Sequence, residues 1–280
     1  MHLHTVMGGD GVPLHVVDTA TPTDRSILFI HGFSQSWLTW SRQLRSPLAN
    51  EFRLVALDLR GHGRSGKPRD AYGDSQLWAD DIHAVITALN LSAPILCGSS
   101  YGPLVMLDYV RHYGEQRIGG LQFVGGVTNL GSAKALSVLS PAFLNLIPGF
   151  FSDNTEDSVR SLESLFRMCI AEEPSMEDAC LALGWALLTP PHVRRSLFSR
   201  MLDNDEILRT FRKPVLLTHG SLDAVVTPQI VHQHQSLIPH AQIHLMNGAG
   251  HAAFWDHTEA FNERLRAFAY GDEPLATSAR

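Results

Sequence analysis

The chain has 280 residues, 44% of them hydrophobic and 18% charged, with a formal net charge of -6. This is enough apolar material for a large core, and the charge balance excludes the basic footprint of a nucleic-acid binder or a membrane-surface protein. Three cysteines, Cys97, Cys169 and Cys180, cannot build a disulfide framework, and no secretory leader or membrane-spanning run is visible, so a cytoplasmic protein is expected.

In chain order, Leu14–Asp18 is strand-like, and Ser26–Ile30 is the continuous apolar run expected of a strand buried on both faces. Helical spacing links Trp37, Trp40, Leu44 and Leu48. Phe52–Leu57 is a second buried strand and leads into Asp58-Leu59-Arg60-Gly61-His62-Gly63. From Asp74 or Ser75, a helix start, an apolar stripe at helical spacing runs through Trp78, Ile82, Val85 and Leu89. Pro94–Cys97 is a strand, Leu104–Val110 a helix and Ile118–Val124 a strand. Strands alternating with helices imply a parallel sheet with right-handed crossovers.

Between about 129 and 209 the alternation stops. Helical pieces are expected at Ser132–Phe143, Glu156–Ile170, Met176–Leu188 and His192–Leu202, punctuated by Pro148-Gly149 and Pro190-Pro191. Such an insertion reads as a cap over the sheet's C-terminal edge, with Phe143, Phe150, Phe166 and Trp185 as candidate pocket residues, together with Trp40 from the core. The alternation then resumes with strands at Pro214–His219 and Ile243–Met246 and helices at Thr227–Leu237 and Thr258–Phe268. Residues 1–128 and 210–270 are thus expected to form the core, 129–209 the cap and 271–280 a flexible tail.

The stretch that carries chemistry is Gly98-Ser99-Ser100-Tyr101-Gly102, set between a strand and a helix. That layout is a nucleophile elbow: the glycines allow a tight strand-to-helix turn and the central serine projects its hydroxyl above the sheet. A serine hydroxyl needs a base, and the base needs a partner that fixes its tautomer. Asp223 follows the Val215–His219 strand and His251 follows the Ile243–Met246 strand, which gives the order Ser100, Asp223, His251. Asp223 could alternatively cap the next helix, and Asp203, Asp205 and Asp58 are rivals for its role. The N–H groups of Phe33, after His31-Gly32, and of Tyr101 are the candidate oxyanion donors.

His31-Gly32-Phe33 with Trp37 and Trp40, Asp58-Leu59-Arg60-Gly61-His62-Gly63-Arg64-Ser65, the elbow and Gly250-His251 together resemble the cap-bearing α/β-hydrolases of the bacterial esterase and cofactor-free haloperoxidase-like type. The resemblance implies an α/β fold with a mostly parallel central sheet flanked by helices and a helical cap inserted after the sixth strand. Two positions depart from the pattern: Pro103 stands where a third glycine is frequent, and Tyr101 where the haloperoxidase-like members often carry Met.

Several other patterns carry less. Gly61-His62-Gly63-Arg64-Ser65-Gly66 fits Gly-x-Gly-x-x-Gly, but Lys67-Pro68 interrupts the helix that a dinucleotide fingerprint should open. His2/His4 and His232/His234 lack further ligands at metal-site spacing and read as solvated. Cys97 reads as a small buried apolar residue, and His219 and His244 as strand residues. The expectation is a serine carboxylesterase-type hydrolase working through an acyl-enzyme on small to medium apolar or aromatic esters, with no cofactor or metal. Lactone hydrolysis and perhydrolysis are alternatives on the same residues, and a non-catalytic ligand receptor is an alternative on the same scaffold.

Overall fold

The computed structural model describes residues 1–271. Eight strands form one sheet: β1 His2–Met7, β2 Pro13–Asp18, β3 Ser26–Ile30, β4 Arg53–Leu57, β5 Ile95–Ser99, β6 Gly120–Val124, β7 Val215–Gly220 and β8 Gln242–Met246. Their spatial order is β1-β2-β4-β3-β5-β6-β7-β8, with β1 and β2 antiparallel and the other pairings from β3 to β8 parallel. Strands β3, β5, β6 and β7 are buried throughout, as helices on both faces require. Strand β1 has no counterpart in the expected elements. It is an edge strand whose Leu3 and Met7 are exposed, so backbone pairing to β2 defines it more than an apolar pattern does.

The helices are α1 Ser41–Leu44, α2 Ser75–Ala88, α3 Gly102–Tyr113, α4 Ala133–Leu136, α5 Pro141–Phe150, α6 Thr155–Cys169, α7 Met176–Leu187, α8 Pro191–Phe198, α9 Asp205–Thr210, α10 Ile230–Leu237, α11 Ala253–Asp256 and α12 Thr258–Tyr270. Asp74 caps α2, its carboxylate accepting from Gln76 N at 2.8 Å. The spacing from Trp37 to Leu48 does not become one helix. It breaks into 3₁₀ turns at Trp37–Trp40 and Pro47–Asn50 on either side of α1, because Ser46 starts a new cap and Pro47 cannot donate to a preceding turn.

Helices α4–α9 form the insertion after β6, the sixth strand. The expected Ser132–Phe143 helix is split, because Leu139 bridges to Val226 and Ser140 opens α5 by accepting from Phe143 N at 3.1 Å. Pro148-Gly149 does not end a helix but lies inside α5. A Cβ on Gly149 would collide with Ser161 Oγ of α6, so the glycine marks a close helix approach. The helix begun at Pro191 ends at Phe198, short of Leu202, which pairs with Leu130 and draws the ends of the insertion together. The expected flexible tail lies outside the described residues beyond Gly271.

Candidate active site

The turn between β5 and α3 places Ser100 at φ 55°, a left-handed conformation that strains a residue with a side chain. The neighbours hold it there: Ser100 N donates to Val124 O at 2.9 Å, and Val127 N donates to Ser100 O at 3.0 Å. A Cβ on Gly98 would collide with Met106 Sδ, and one on Gly102 would sit 2.6 Å from Ile30 O. Both glycines are therefore demanded by close packing. Pro103 lies in the first turn of α3, where its missing N–H costs no helical hydrogen bond.

Asp223 and His251 come together across the ends of β7 and β8. Gly220 makes this possible, since a side chain there would collide with the carbonyl oxygen of Gly250. Asp223 Oδ1 accepts from Val225 N at 2.8 Å and Val226 N at 2.9 Å. Oδ2 lies 2.8 Å from His251 Nδ1 and 2.9 Å from His219 Nε2. A carboxylate only accepts, so Nδ1 of His251 carries a proton in this contact, and the tautomer it selects is the one with its lone pair on Nε2. Burial alone would raise the Asp223 pKa, but the two histidines outweigh it and hold the carboxyl far below its ordinary range. His219, expected only as a strand residue, is the second imidazole on this carboxylate, and its N–H is also within 2.9 Å of Val226 O. The spacing His219-x-x-x-Asp223 across a strand end was its only trace in the sequence.

A third segment, after β3, closes on the elbow. Leu59 N donates to His31 Nε2 at 3.0 Å, so His31 Nδ1 carries the proton and donates to Gly32 O at 2.8 Å. A Cβ on Gly32 would lie 2.9 Å from Ser100 Cβ, and Gly32 N donates to Gln35 Oε1 at 2.8 Å. Ser34, also in the left-handed region at φ 55°, donates its N–H to His62 Nε2 at 3.3 Å and its hydroxyl to Ala186 O in α7 at 3.0 Å. Asp58 ties the same region together, accepting from Trp37 N and Arg64 N at 2.8 Å each. Burial holds the His31 pKa well below the ordinary histidine range and that of His62 at about 4, which keeps both rings neutral. Among the described residues, neither Phe33 N nor Tyr101 N has a protein acceptor.

Ser100 lines two chambers, which share Phe33, Ser100, Phe143 and Val225 as wall residues. The first is partly open to solvent and is walled by Phe166, Cys169, Trp185, His251 and Trp255. The second is walled by Tyr101, Val127, Leu130, Leu139 and Val226. Phe143, Phe166 and Trp185 thus lie on the cavity walls, whereas Trp40 and Phe150 do not. Trp40 is fully buried against Phe29 and Phe254, with ring centroids 4.8 and 4.2 Å apart, and belongs to the core. Phe150 is fully buried behind Phe33 and Phe143 and supports the wall from outside.

Tyr101 is on the wall of the second chamber, and its hydroxyl meets Arg200 Nη1 at 3.2 Å. Arg200, buried at the end of the insertion, pairs with Asp108 of α3 at 2.7 Å and lies over the Trp78 ring, 5.2 Å from its centroid. Burial raises the Asp108 pKa to about 6 despite the arginine. His234 is buried rather than solvated and lies 3.0 Å from Thr128 Oγ1. Cys97 is buried, its thiol donating to Gln122 Oε1. Among the described residues, no group of three or more His, Cys, Asp or Glu side chains converges as a metal site, and no helix is long and apolar enough to cross a membrane.

Residues 25–258 match the family model of the α/β hydrolase fold. The chain belongs to the α/β-hydrolase family. Among solved structures of this family, it is similar to the esterase RhEst1 from Rhodococcus sp. ECU1013, with 31% identity and a TM-score of 0.91 over 98% of this chain and all of that one. A protein from Burkholderia cenocepacia assigned as an aryl esterase has 30% identity and a TM-score of 0.87, covering 96% of this chain and 98% of that one. Among curated relatives, the non-heme chloroperoxidase CPO-A1 of Kitasatospora aureofaciens is 27% identical over 92% of this chain and 96% of its own length. Family membership and esterase neighbours together support a hydrolase.

Proposed function

We propose that this α/β-hydrolase is a serine carboxylesterase with Ser100 as nucleophile, His251 as base and Asp223 as its orienting acid, acting on small to medium apolar or aromatic esters. The observation that carries the reading is the 2.8 Å contact between His251 Nδ1 and Asp223 Oδ2, with His251 and Ser100 on the wall of one chamber. His251 Nε2 takes the Ser100 proton as Oγ bonds to the ester carbon, and the carbonyl oxygen becomes an oxyanion. The N–H groups of Phe33 and Tyr101, free of protein acceptors among the described residues, stabilise that charge, each donor being worth about 3 kcal/mol in such sites. Collapse breaks the bond to the alcohol oxygen, which receives the proton from His251. Water then gives a proton to His251 and its oxygen to the acyl carbon, and release of the acid returns the proton to Ser100.

Helices α4–α9 serve as the cap in this reading, because Phe143, Phe166 and Trp185 from it wall the cavity above Ser100. The test is labelling by a fluorophosphonate and turnover of aliphatic nitrophenyl esters, both lost in Ser100→Ala. Ester turnover at the wild-type rate in that variant would overturn the assignment.

A further inference from the structure

The two chambers differ in composition, and the chemistry at Ser100 dictates which half of an ester enters each. The geometry points to a substrate with a definite polarity: an aromatic alcohol esterified to an aliphatic acid, the alcohol in the first chamber and the acyl chain in the second. This inference rests on the serine-esterase reading and specifies its substrate class.

Three groups leave the reacting carbon besides the serine. The carbonyl oxygen must point to the Phe33 and Tyr101 N–H groups. The alcohol oxygen must lie within hydrogen-bond reach of His251 Nε2, because that ring delivers the proton as the carbon–oxygen bond breaks. His251 is on the wall of the first chamber and not of the second, so the alcohol substituent projects into the first. The acyl chain takes the remaining direction, past Tyr101, which is on the wall of the second chamber and not of the first.

Beyond the residues they share, the first chamber presents flat aromatic surface. Phe166, Trp185 and Trp255 line it, with the two tryptophans edge to face at 6.2 Å. It also carries Thr39 and Gln35, whose Oε1 is taken by Gly32 N, leaving the Thr39 hydroxyl and the Gln35 amide N–H groups to meet a ring substituent. The second chamber is mainly aliphatic, walled by Val127, Leu130, Leu136, Leu139 and Val226. Its aromatic members are engaged elsewhere: the Tyr101 hydroxyl is held by Arg200, and Phe198 stands edge-on against Phe33 at 5.0 Å. Its polar side chain, Asn129, is committed to Asp205 and to Asn204 N. Arg42 lies over the Trp255 ring at 4.1 Å, so an aromatic alcohol gains Phe166 and Trp185 as its ring partners in the first chamber, while a polar acid finds no free partner in the second.

The experiment compares an ester with its own reversal, phenethyl butanoate against propyl hydrocinnamate. These are isomers that differ only in the order of carbonyl and oxygen, and both have unactivated leaving alcohols. The expected result is a kcat/KM on the order of tenfold higher for phenethyl butanoate, the scale on which apolar pockets discriminate. Leu139→Trp, which fills the second chamber, should lower the butanoate-to-acetate ratio at least about tenfold for phenethyl esters. Phe166→Ala should raise KM for phenethyl butanoate several-fold more than it raises KM for methyl butanoate. Preference for the reversed ester, cleavage of neither isomer by an enzyme that fluorophosphonate labels, or an effect of Leu139→Trp on alcohol rather than acyl preference would overturn the chamber assignment. Absence of fluorophosphonate labelling at Ser100 would instead overturn the esterase reading beneath it.

Discussion

Replacing His62 by glutamine separates the two jobs this ring performs. His62 is fully enclosed, and burial is the main cause of its lowered pKa. The charges of Lys67 and Arg194 add to burial, the carbonyl of Arg60 opposes it, and the ring titrates near 4 instead of 6.5. Between those two values the unfolded chain binds a proton that the folded chain refuses, so stability must fall as the pH falls through this window. A span of 6.5 to about 4, at about 1.4 kcal/mol per pH unit, is worth about 3 kcal/mol. A protonated Nε2 would also set an N–H against the Ser34 N–H that it accepts at neutral pH, pushing away the loop that carries Phe33. In His62→Gln the side-chain carbonyl can still accept from Ser34, but nothing titrates. Urea unfolding at a series of pH values from 8 to 4 should show the wild type ahead by about 1 kcal/mol at pH 8. That lead should shrink and then reverse by pH 4. A wild-type lead that stays constant across the series would refute the argument.

Two further substitutions probe how the site is assembled. Gly220→Ala would push a methyl group into the backbone of Gly250 and Ala249 and move His251 away from Asp223. Displacement on that scale can lower kcat about a hundredfold, which steady-state ester hydrolysis would register. A variant within twofold of wild type would show that these loops have slack. Asp108→Asn leaves the buried Arg200 guanidinium without its counter-ion and should destabilise the fold by about 3–5 kcal/mol in chemical denaturation. Pairing Arg200→Met with Asp108→Leu should recover most of that loss, and a single-mutant cost below about 1 kcal/mol would mean that the pair is solvated.

The sheet was legible because central parallel strands are buried on both faces and must be written as apolar runs, as in Ser26–Ile30 and Val215–His219. Strand β1 was not, because an edge strand needs only a backbone to pair with. The elbow could be read because its glycines state a steric requirement at fixed spacing from Ser100. Cavity walls were harder. Trp40, Phe150, Phe143 and Trp185 are all large apolar residues, and the sequence does not say which face of a tertiary wall each one covers. Trp40 went to the core and Phe150 behind the wall. His219 and His234 were hidden for a related reason: their meaning depends on Asp223 and Thr128, groups that only the folded chain sets at hydrogen-bonding distance.

Asp223 shows why competing readings of one residue need not exclude each other. In sequence it could cap the next helix or orient a histidine; the cap it makes is of the turn before that helix, since α10 begins only at Ile230. In the fold its two oxygens divide the work: Oδ1 takes the N–H groups of Val225 and Val226, and Oδ2 takes the imidazoles of His219 and His251. The division has a mechanical consequence. A carboxylate is planar, so two backbone donors on one oxygen fix the plane and aim the other oxygen. The turn cap is then what points Oδ2 at His251, and His219 limits rotation on the same side. Tyr101 is split in a similar way, with its backbone N–H beside Ser100 and its hydroxyl held by Arg200 at the end of the insertion. In Asp223 the contacts made by one oxygen set the direction of the other.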